Sequence, residues 1–339
     1  MPLRAALIGY GLAGSVFHAP LIAAAEGLEL STVVTGDRAR AAAASRAYPG
    51  VRIEATPEAV FERAGAHDLV VVASPNDTHV ELATRAVDLG IPVVVDKPLA
   101  PTAGAAAGLV EHAECVGVPL TVFHNRRWDS DQLTLRRLIG DGRLGEVLRF
   151  ESRFERWRPE LRSEAWRDTA TPAEGGGVLL DLGTHLVDQA LTLFGPVRHV
   201  HGEVLHRRGG SADDDAFLAL EHAGGVRSHL WASLVTAAPG PRLRALGSEA
   251  AYVVEDLDGQ EDALRNGLRP DAADGWGVEP VERRGLLIRG EDSERVRSQP
   301  GAWPRFYERL VAAIGGEGPL PVDPWDAVAV LEILERARS

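Results

Sequence analysis

Short apolar runs, many of them rich in β-branched residues, recur along the first 123 positions of the chain and alternate with alanine-rich segments. The runs lack alternating polar positions, which is typical of strands covered on both faces. They predict strands at 3–8, 30–35, 68–73, 91–95 and 118–123. The alanine-rich segments predict helices at 37–48, 57–64, 77–89 and 102–117. Regular alternation of strand and helix indicates an α/β fold with a parallel, doubly wound sheet.

The pattern changes after position 124, where longer segments alternate apolar and polar residues. They predict strands at 146–155, 197–206, 215–222, 226–235 and 251–255. Few helices separate them, so we expect an α+β domain with an open, mainly antiparallel sheet. Further helices are expected at 130–140, 177–194, 303–314 and 324–337, and a long loop at 256–282. We predict a dinucleotide-binding domain over 1–123, and a substrate-binding and oligomerisation domain over 124–339.

Composition excludes some classes of function. The net charge of −13 argues against a nucleic-acid partner, because phosphate binding needs a basic surface. Cys115, the single cysteine, excludes an internal disulfide, and we expect it to be a small buried residue. Glycines and polar residues interrupt the uncharged stretch 5–25, so we predict no signal peptide, no membrane association and a cytoplasmic location.

Gly9, Gly11 and Gly14 form a G-x-G-x-x-G motif directly after the first predicted strand. This context is that of a dinucleotide-binding loop, in which helix N–H groups hold the pyrophosphate. Together with the alternating pattern, the motif predicts a Rossmann domain that binds NAD or NADP. Leu12 and Ala13, inside the motif, are predicted to contact the cofactor as well.

Residues at the end of the second strand bear on the choice between NAD and NADP. An acid there binds the ribose 2′-hydroxyl of NAD, whereas a nearby arginine accommodates the 2′-phosphate of NADP. Asp37 favours the first cofactor and Arg38 the second. Asp37 is equally suited to cap the following helix, so this pair leaves the choice open.

Lys97 is the only lysine among 36 basic residues, and the others are arginines. Lysine offers a compact ammonium with a tunable pKa, which arginine does not. Asp96 and Lys97 directly follow the predicted strand 91–95, and Pro98 biases the lysine backbone away from helical geometry. We therefore predict that Lys97 lies at the ligand edge of the sheet and acts in catalysis.

Three other segments are predicted to contribute contacts. Ser74, Pro75 and Asn76 follow the strand before Asp96 and are predicted cofactor contacts, although turn and capping chemistry explains them equally well. Aromatic and basic residues suited to a polyol site occur in two short segments. They are Asn125, Arg126 and Trp128 in the first, and Trp157 and Arg158 in the second.

Asp181 and His185 are four residues apart in the predicted helix 177–194, so they would share one face. An aspartate can orient the imidazole and raise its basicity, which suits an acid/base for an alcohol proton. A structural hydrogen bond is one alternative. A metal site is another, but further ligands with matching spacing are missing, so we expect no metal.

These motifs together resemble the Gfo/Idh/MocA oxidoreductase family over essentially the whole chain. The resemblance rests on Gly9–Gly14, Asp96-Lys97-Pro98 and Asp181-x-x-x-His185, although the family more often has glutamate at position 96. It implies cofactor binding by the glycine loop and catalysis by Lys97, Asp181 and His185. Finer features, at 9–22, 124–131 and 258–267, are similar to the NADP-dependent scyllo-inositol dehydrogenase branch.

The resemblance implies hydride transfer between a nicotinamide and a CH–OH or ketone carbon of a sugar or cyclic polyol. It implies NADP rather than NAD, and a homodimer or homotetramer. Two alternatives remain within the same family: a dinucleotide-binding sensor or regulator without turnover, and a dinucleotide-dependent glycosidase.

Overall fold

The computed structural model describes residues 1–161, 170–171, 174–271 and 275–339. Within them the chain forms two compact units. The first contains Met1–His124, the described part of Glu261–Asp274, and Trp303–Val328. The second contains the described parts of Asn125–Gln260 and Gly275–Ala302, together with Ala329–Ser339. Two segments that follow position 124 in sequence therefore pack with the first unit.

The first unit contains a parallel sheet of six strands in the described part of the chain. The strands are β1 (Leu3–Ile8), β2 (Leu28–Val34), β3 (Arg52–Glu54), β4 (Leu69–Val72), β5 (Val93–Val95) and β6 (Leu120–Val122). Their order is β3-β2-β1-β4-β5-β6, so the sheet is doubly wound. The order in which successive strands are added reverses between β1 and β4. Every residue of β4 and β5 is buried, which explains their unbroken apolar runs. The Rossmann prediction is confirmed; the short, largely polar β3 was not anticipated.

Ten α-helices occur in the residues that the structure describes. They are α1 (Ala19–Ala24), α2 (Arg38–Ala47), α3 (Glu58–Phe61), α4 (His79–Asp88), α5 (Ala103–Val116), α6 (Ser130–Gly140), α7 (Thr184–Phe194), α8 (Gln260–Arg265), α9 (Pro304–Ile314) and α10 (Pro324–Arg338). None of these helices combines the length and apolar character needed to cross a bilayer. The expectation that Cys115 is buried was wrong, because it lies on the exposed side of α5.

Aromatic residues anchor the segment that begins at Trp303 to the first unit. Trp303, Phe306 and Tyr307 are completely buried. The ring centroid of Phe306 lies 4.9 Å from that of Phe123, which directly follows β6. This packing explains why α9 belongs to the first unit although it lies far from β6 in sequence.

The expected long loop at 256–282 is only partly a loop. It contains α8 and a short 3₁₀ turn at Val281–Arg283. Beyond α8, the Arg269 guanidinium lies 4.7 Å from the ring centroid of Tyr48, at the end of α2. The prediction was wrong for these positions because the composition of the segment conceals a short polar helix.

The second unit contains a sheet of eight strands in its described residues. They are β7 (Val147–Glu155), β8 (Val197–Leu205), β9 (Asp215–His222), β10 (Arg227–Ser233), β11 (Leu243–Gly247), β12 (Ala251–Val254), β13 (Leu286–Arg289) and β14 (Asp292–Arg295). Their order is β14-β13-β12-β11-β7-β10-β9-β8. Only β7 and β10 pair in parallel, so the open, mainly antiparallel prediction is confirmed. Strands β11, β13 and β14 were not predicted; every residue of β14 is exposed, and so it carries no apolar pattern.

Phe306→Ala tests the anchoring of α9. We expect it to lower the free energy of unfolding by ~3–5 kcal/mol, because it removes a fully buried ring and leaves a cavity. Urea unfolding followed by tryptophan fluorescence measures the change. Leu89→Ala, at a position 46% exposed, is the control and should cost far less. Equal shifts in the two variants would contradict the anchoring role.

Candidate functional site

The glycine loop after β1 is shaped by close backbone contacts. Gly9 has φ +100°, and a Cβ there would press against the carbonyl group of Ala73, just after β4. A Cβ at Gly14 would collide with the carbonyl oxygen of Gly9. Both positions therefore require glycine, and the loop is held tightly between the ends of β1 and β4.

Gly11 lies in a more open environment. The nearest atom to a Cβ built there is Nη1 of Arg40, at 3.9 Å. A helical segment begins at Ala13, runs as a π-helix to His18 and continues as α1, with Pro20 in the first turn of α1. The first N–H groups of a helix have no acceptor within it, and they attract anions. A tight loop, open space at Gly11 and a helix start are what a dinucleotide pyrophosphate needs.

Asp37 is the N-cap of α2. Its carboxylate accepts a hydrogen bond from the Arg40 N–H at 2.9 Å, and backbone N–H donation from Arg40 lowers the pKa of Asp37. Arg38 is the exposed first residue of the helix, and the Arg40 guanidinium is directed to the glycine loop. The capping interpretation of Asp37 is confirmed, and Arg38 and Arg40 follow it in the first turn of α2.

The loop after β4 is stabilised by its own hydroxyl groups. Ser74 Oγ and Thr78 Oγ1 are 2.6 Å apart, and Thr78 Oγ1 donates to the Pro75 carbonyl at 2.7 Å. Asn76 is buried in the 3₁₀ turn that precedes α4. The turn interpretation of this segment is confirmed, while cofactor contact stays a prediction.

Asp96 and Lys97 follow β5, and both are partly buried. Nε2 of the fully buried His18 lies 3.5 Å from Asp96 Oδ1, and His18 Nδ1 lies 2.6 Å from the Tyr307 hydroxyl. Burial raises the pKa of Asp96, but His18, Lys97 and His79 outweigh it, so the net pKa lies below the usual value. An ionised carboxylate thus precedes the only lysine of the chain.

Asp181 and His185 lie in helical backbone, as predicted, but not in a uniform α-helix. Leu179–Gly183, which includes Asp181, is a π-helix, and His185 lies in the first turn of α7. A π-turn widens the helix by about one residue, and such turns often occur at functional sites. The side chain of Asp213 accepts a hydrogen bond from the Leu179 N–H at 2.7 Å. The start of this helix is therefore fixed by an acid from outside it.

The body of α7 is fastened to the segment that precedes α6. The Arg127 guanidinium forms a two-pronged ion pair with Asp188, one turn after His185, with Nη2–Oδ1 at 2.6 Å and Nε–Oδ2 at 3.0 Å. The Gln189 side chain donates to the Arg126 carbonyl at 3.0 Å. His185 is consequently carried by a helix that is held at its start and along its length.

Arg126 belongs to a buried cluster around Phe154. The Arg126 guanidinium lies 4.8 Å from the Phe154 ring centroid, and that of Arg242 lies 4.2 Å away from the same centroid. The His185 ring lies 6.0 Å from Phe154. Burial raises the pKa of Asp129 well above its usual value, although Arg126 counteracts this. The structure thus brings together two predicted site residues, Arg126 and His185.

The other predicted substrate contacts are dispersed. Asn125 and Trp128 are buried in the 3₁₀ turn Asn125–Trp128, where the Trp128 carbonyl accepts hydrogen bonds from Gln260 and Ala302. Trp157 and Arg158 are exposed just after β7. Their roles in binding substrate stay predictions.

Comparison with known proteins identifies the family. Residues 3–124 match the model of the oxidoreductase family with an NAD-binding Rossmann fold, and residues 132–253 match the GFO/IDH/MocA C-terminal domain. The chain belongs to the Gfo/Idh/MocA oxidoreductase family. It is accordingly an NAD(P)-binding oxidoreductase.

Several Gfo/Idh/MocA relatives cover nearly the full length of this chain. The uncharacterized oxidoreductase YdgJ of Escherichia coli (strain K12) is 40% identical and covers 98% of this chain and 94% of its own. The scyllo-inositol 2-dehydrogenase (NADP(+)) IolW of Bacillus subtilis (strain 168) is 33% identical, with 99% and 92% covered. The crystal structure of yvaA from Bacillus subtilis has a TM-score of 0.91 at 32% identity, covering 100% of this chain and 95% of that one.

Sequence reasoning did not single out several residues near the predicted Gfo/Idh/MocA site. Arg40 carried a signal, because it lies in the first turn of α2, close to Asp37 and Arg38. His79 also carried one, since it lies three residues after Asn76. Tyr307 and Asp213 carried none, because their contacts lie 289 and 34 residues away in sequence.

Gly11→Ala tests the pyrophosphate cradle. The extra methyl group meets no backbone atom, so the thermal unfolding midpoint should stay close to that of the wild type. The methyl group would fill the space that a pyrophosphate approaches, so we expect affinity for NADPH to fall at least about tenfold, or about 1.4 kcal/mol. Fluorescence titration measures it. Gly108→Ala, on α5, is the control, and unchanged affinity in Gly11→Ala would contradict the assignment.

Proposed function

We propose that this oxidoreductase transfers a hydride between NADP and a CH–OH or ketone carbon of a sugar or cyclic polyol related to inositol. The observation that carries the proposal is Lys97. A chain that otherwise uses arginine for positive charge has its single lysine at the end of β5, beside an ionised Asp96.

The proposed roles follow from the chemistry of the side chains. The Lys97 ammonium stabilises negative charge on the substrate oxygen as the alcohol is oxidised. His185 takes the hydroxyl proton, and Asp181 orients the imidazole and stabilises its charged form. The nicotinamide supplies the hydride chemistry when it is bound. In the reductive direction, His185 returns the proton to the oxygen.

The substrate class rests on the relatives and on the donor set. The protein IolW, 33% identical over nearly the whole chain, is described as a scyllo-inositol 2-dehydrogenase (NADP(+)). A polyol carries adjacent hydroxyl groups, so its binding site needs several hydrogen-bond donors and a flat apolar surface. We propose Asn125, Arg126, Trp128, Trp157 and Arg158 for that purpose, together with Lys97, Asp181 and His185.

Substitution of Lys97 and His185 tests the mechanism. We expect His185→Ala to lower kcat ~10²–10⁴-fold, the usual loss for an acid/base group. Lys97→Arg should be nearly as harmful, because the planar guanidinium cannot replace a compact ammonium. Absorbance of the reduced nicotinamide is followed with a panel of inositols and aldoses, each with NAD and NADP.

Arg46→Lys, on the exposed side of α2, is the control for exchange of one basic residue for another. Full turnover by Lys97→Arg would contradict the role of the lysine. Dinucleotide binding without turnover of any substrate would favour a sensor. Release of phenol from an aryl glycoside would favour a glycosidase.

The proposed preference for NADP rests on Arg38 and Arg40. Asp37 accepts the backbone N–H of Arg40 through Oδ1 and caps α2. Arg38 and Arg40 put positive charge in the first turn after β2, and the Arg40 guanidinium lies beside Gly11. A 2′-phosphate would find charged donors here. The other predicted cofactor contacts are proposed to bind the parts that NAD and NADP share. They are Leu12, Ala13, Ser74, Pro75, Asn76 and Asp96.

Arg40→Ala tests this preference. We expect affinity for NADP to fall ~10–100-fold, the loss of one hydrogen bond to a charged group, while affinity for NAD stays unchanged. Isothermal titration calorimetry with each cofactor measures both. Arg46→Ala, in the last turn of the same helix, is the matched control. An equal loss for both cofactors would rule out specific recognition of the 2′-phosphate by Arg40.

We also propose that the protein is cytoplasmic and assembles as a homodimer or homotetramer. The second sheet carries half-buried aromatic residues on one face, with Phe217 and Trp231 5.1 Å apart and the Arg153 guanidinium 3.9 Å from the Trp231 ring. Such a surface is suited to a second copy of the chain. Light scattering at several protein concentrations measures the assembly.

A further inference from the structure

His79 joins the two loops that flank the carboxyl ends of β4 and β5. It is the first residue of α4, and it is fully buried. Its Nδ1 lies 2.8 Å from the carbonyl oxygen of Pro98, and its Nε2 lies 3.0 Å from the carbonyl oxygen of Ser74. One imidazole therefore spans the loop with the predicted cofactor contacts and the loop with Lys97.

The protonation state of the His79 ring decides how many of its two contacts with carbonyl groups are hydrogen bonds. Carbonyl oxygens only accept hydrogen bonds, and a neutral imidazole has one N–H. Both hydrogen bonds can form together only when both ring nitrogens carry protons. Burial lowers the pKa of His79, whereas Asp96, the two carbonyl groups and Asp77 favour the charged ring and oppose part of that effect. The second hydrogen bond is thus gained on acidification, and one is retained above the pKa.

The Asp96 carboxyl group interacts with three titratable side chains, one of which is His79. His18, Lys97 and His79 all lower the pKa of that carboxyl group, against the effect of burial. Pro98 is the residue immediately after Lys97, so a hydrogen bond to its carbonyl restrains the backbone next to the lysine. The contact at Ser74 fixes the other end of the same imidazole to the loop after β4.

We propose that His79 is a positioning residue for Lys97, which it orients by fastening the Asp96-Lys97-Pro98 loop to the Ser74 loop. Its importance for turnover rests on the proposed function of Lys97. The positioning itself does not, because it concerns only contacts within the first unit.

Lysine labelled with ¹³C at Cε provides a direct readout, because the chain has a single lysine and yields a single signal. The untagged full-length protein is compared with His79→Asn at pH 7. His67→Asn is the matched control. His67 is buried in the same unit, and neither of its ring nitrogens has a hydrogen-bond partner in the described part of the chain.

We expect the Lys97 signal to move beyond its wild-type line width in His79→Asn and to stay in place in His67→Asn. Coincident Lys97 signals in the wild type and His79→Asn would overturn the proposal.

A second variant and a second label guard against loss of folding. His79→Gln replaces His79→Asn if circular dichroism shows that the latter is unfolded. If neither folds, ¹⁵N-histidine spectra of the wild type decide: we expect a buried imidazole with a hydrogen bond at a ring nitrogen, and its absence would overturn the proposal. These readouts need no substrate, so failure of this inference and failure of the proposed oxidoreductase mechanism are distinguishable.

Discussion

The register of three parallel strands governs the first unit. Ile8, the last residue of β1, pairs with Val72 of β4, and Val72 pairs with Val95 of β5. The glycine loop, the Ser74 loop and the Asp96-Lys97 loop therefore leave adjacent strands at the same level. Because parallel hydrogen-bonding fixes this register, one edge of the sheet collects a helix start, hydroxyl groups and an ammonium.

A charge buried at this edge is destabilising unless polar groups surround it, and short chains of polar contacts supply those groups. The Asp96 carboxylate has imidazoles and an ammonium in its surroundings, and the more distant Tyr307 hydroxyl holds His18 in place. The same rule governs the second unit, where Arg242 is 3% exposed and contacts Ser152, Gln189 and Asp131. Removing one member of such a group leaves another charge buried without compensation, which costs more than the contact itself gains.

Two of the helical segments that carry predicted site residues contain π-helical backbone. One π-turn, Ala13–His18, follows the glycine loop and ends where Pro20 allows an α-helix to start. The other, Leu179–Gly183, includes Asp181 and leads into the turn with His185. Wider turns change the angle between successive side chains, so the four-residue spacing of Asp181 and His185 does not have the geometry of a regular α-helix.

The sequence alone determined the strand and helix alternation, the glycine loop and the position of Lys97, because burial period and backbone freedom are local properties of a chain. It also predicted α6 and β9 to the residue, since their apolar patterns are strong. It could not find β14, which buries no side chain, or the contacts of Tyr307 and Asp213, which depend on distant partners. Nor could it show that Asp37 caps α2, which the tertiary structure does. The direction of a carboxylate is set by the N–H groups that the folded backbone presents to it.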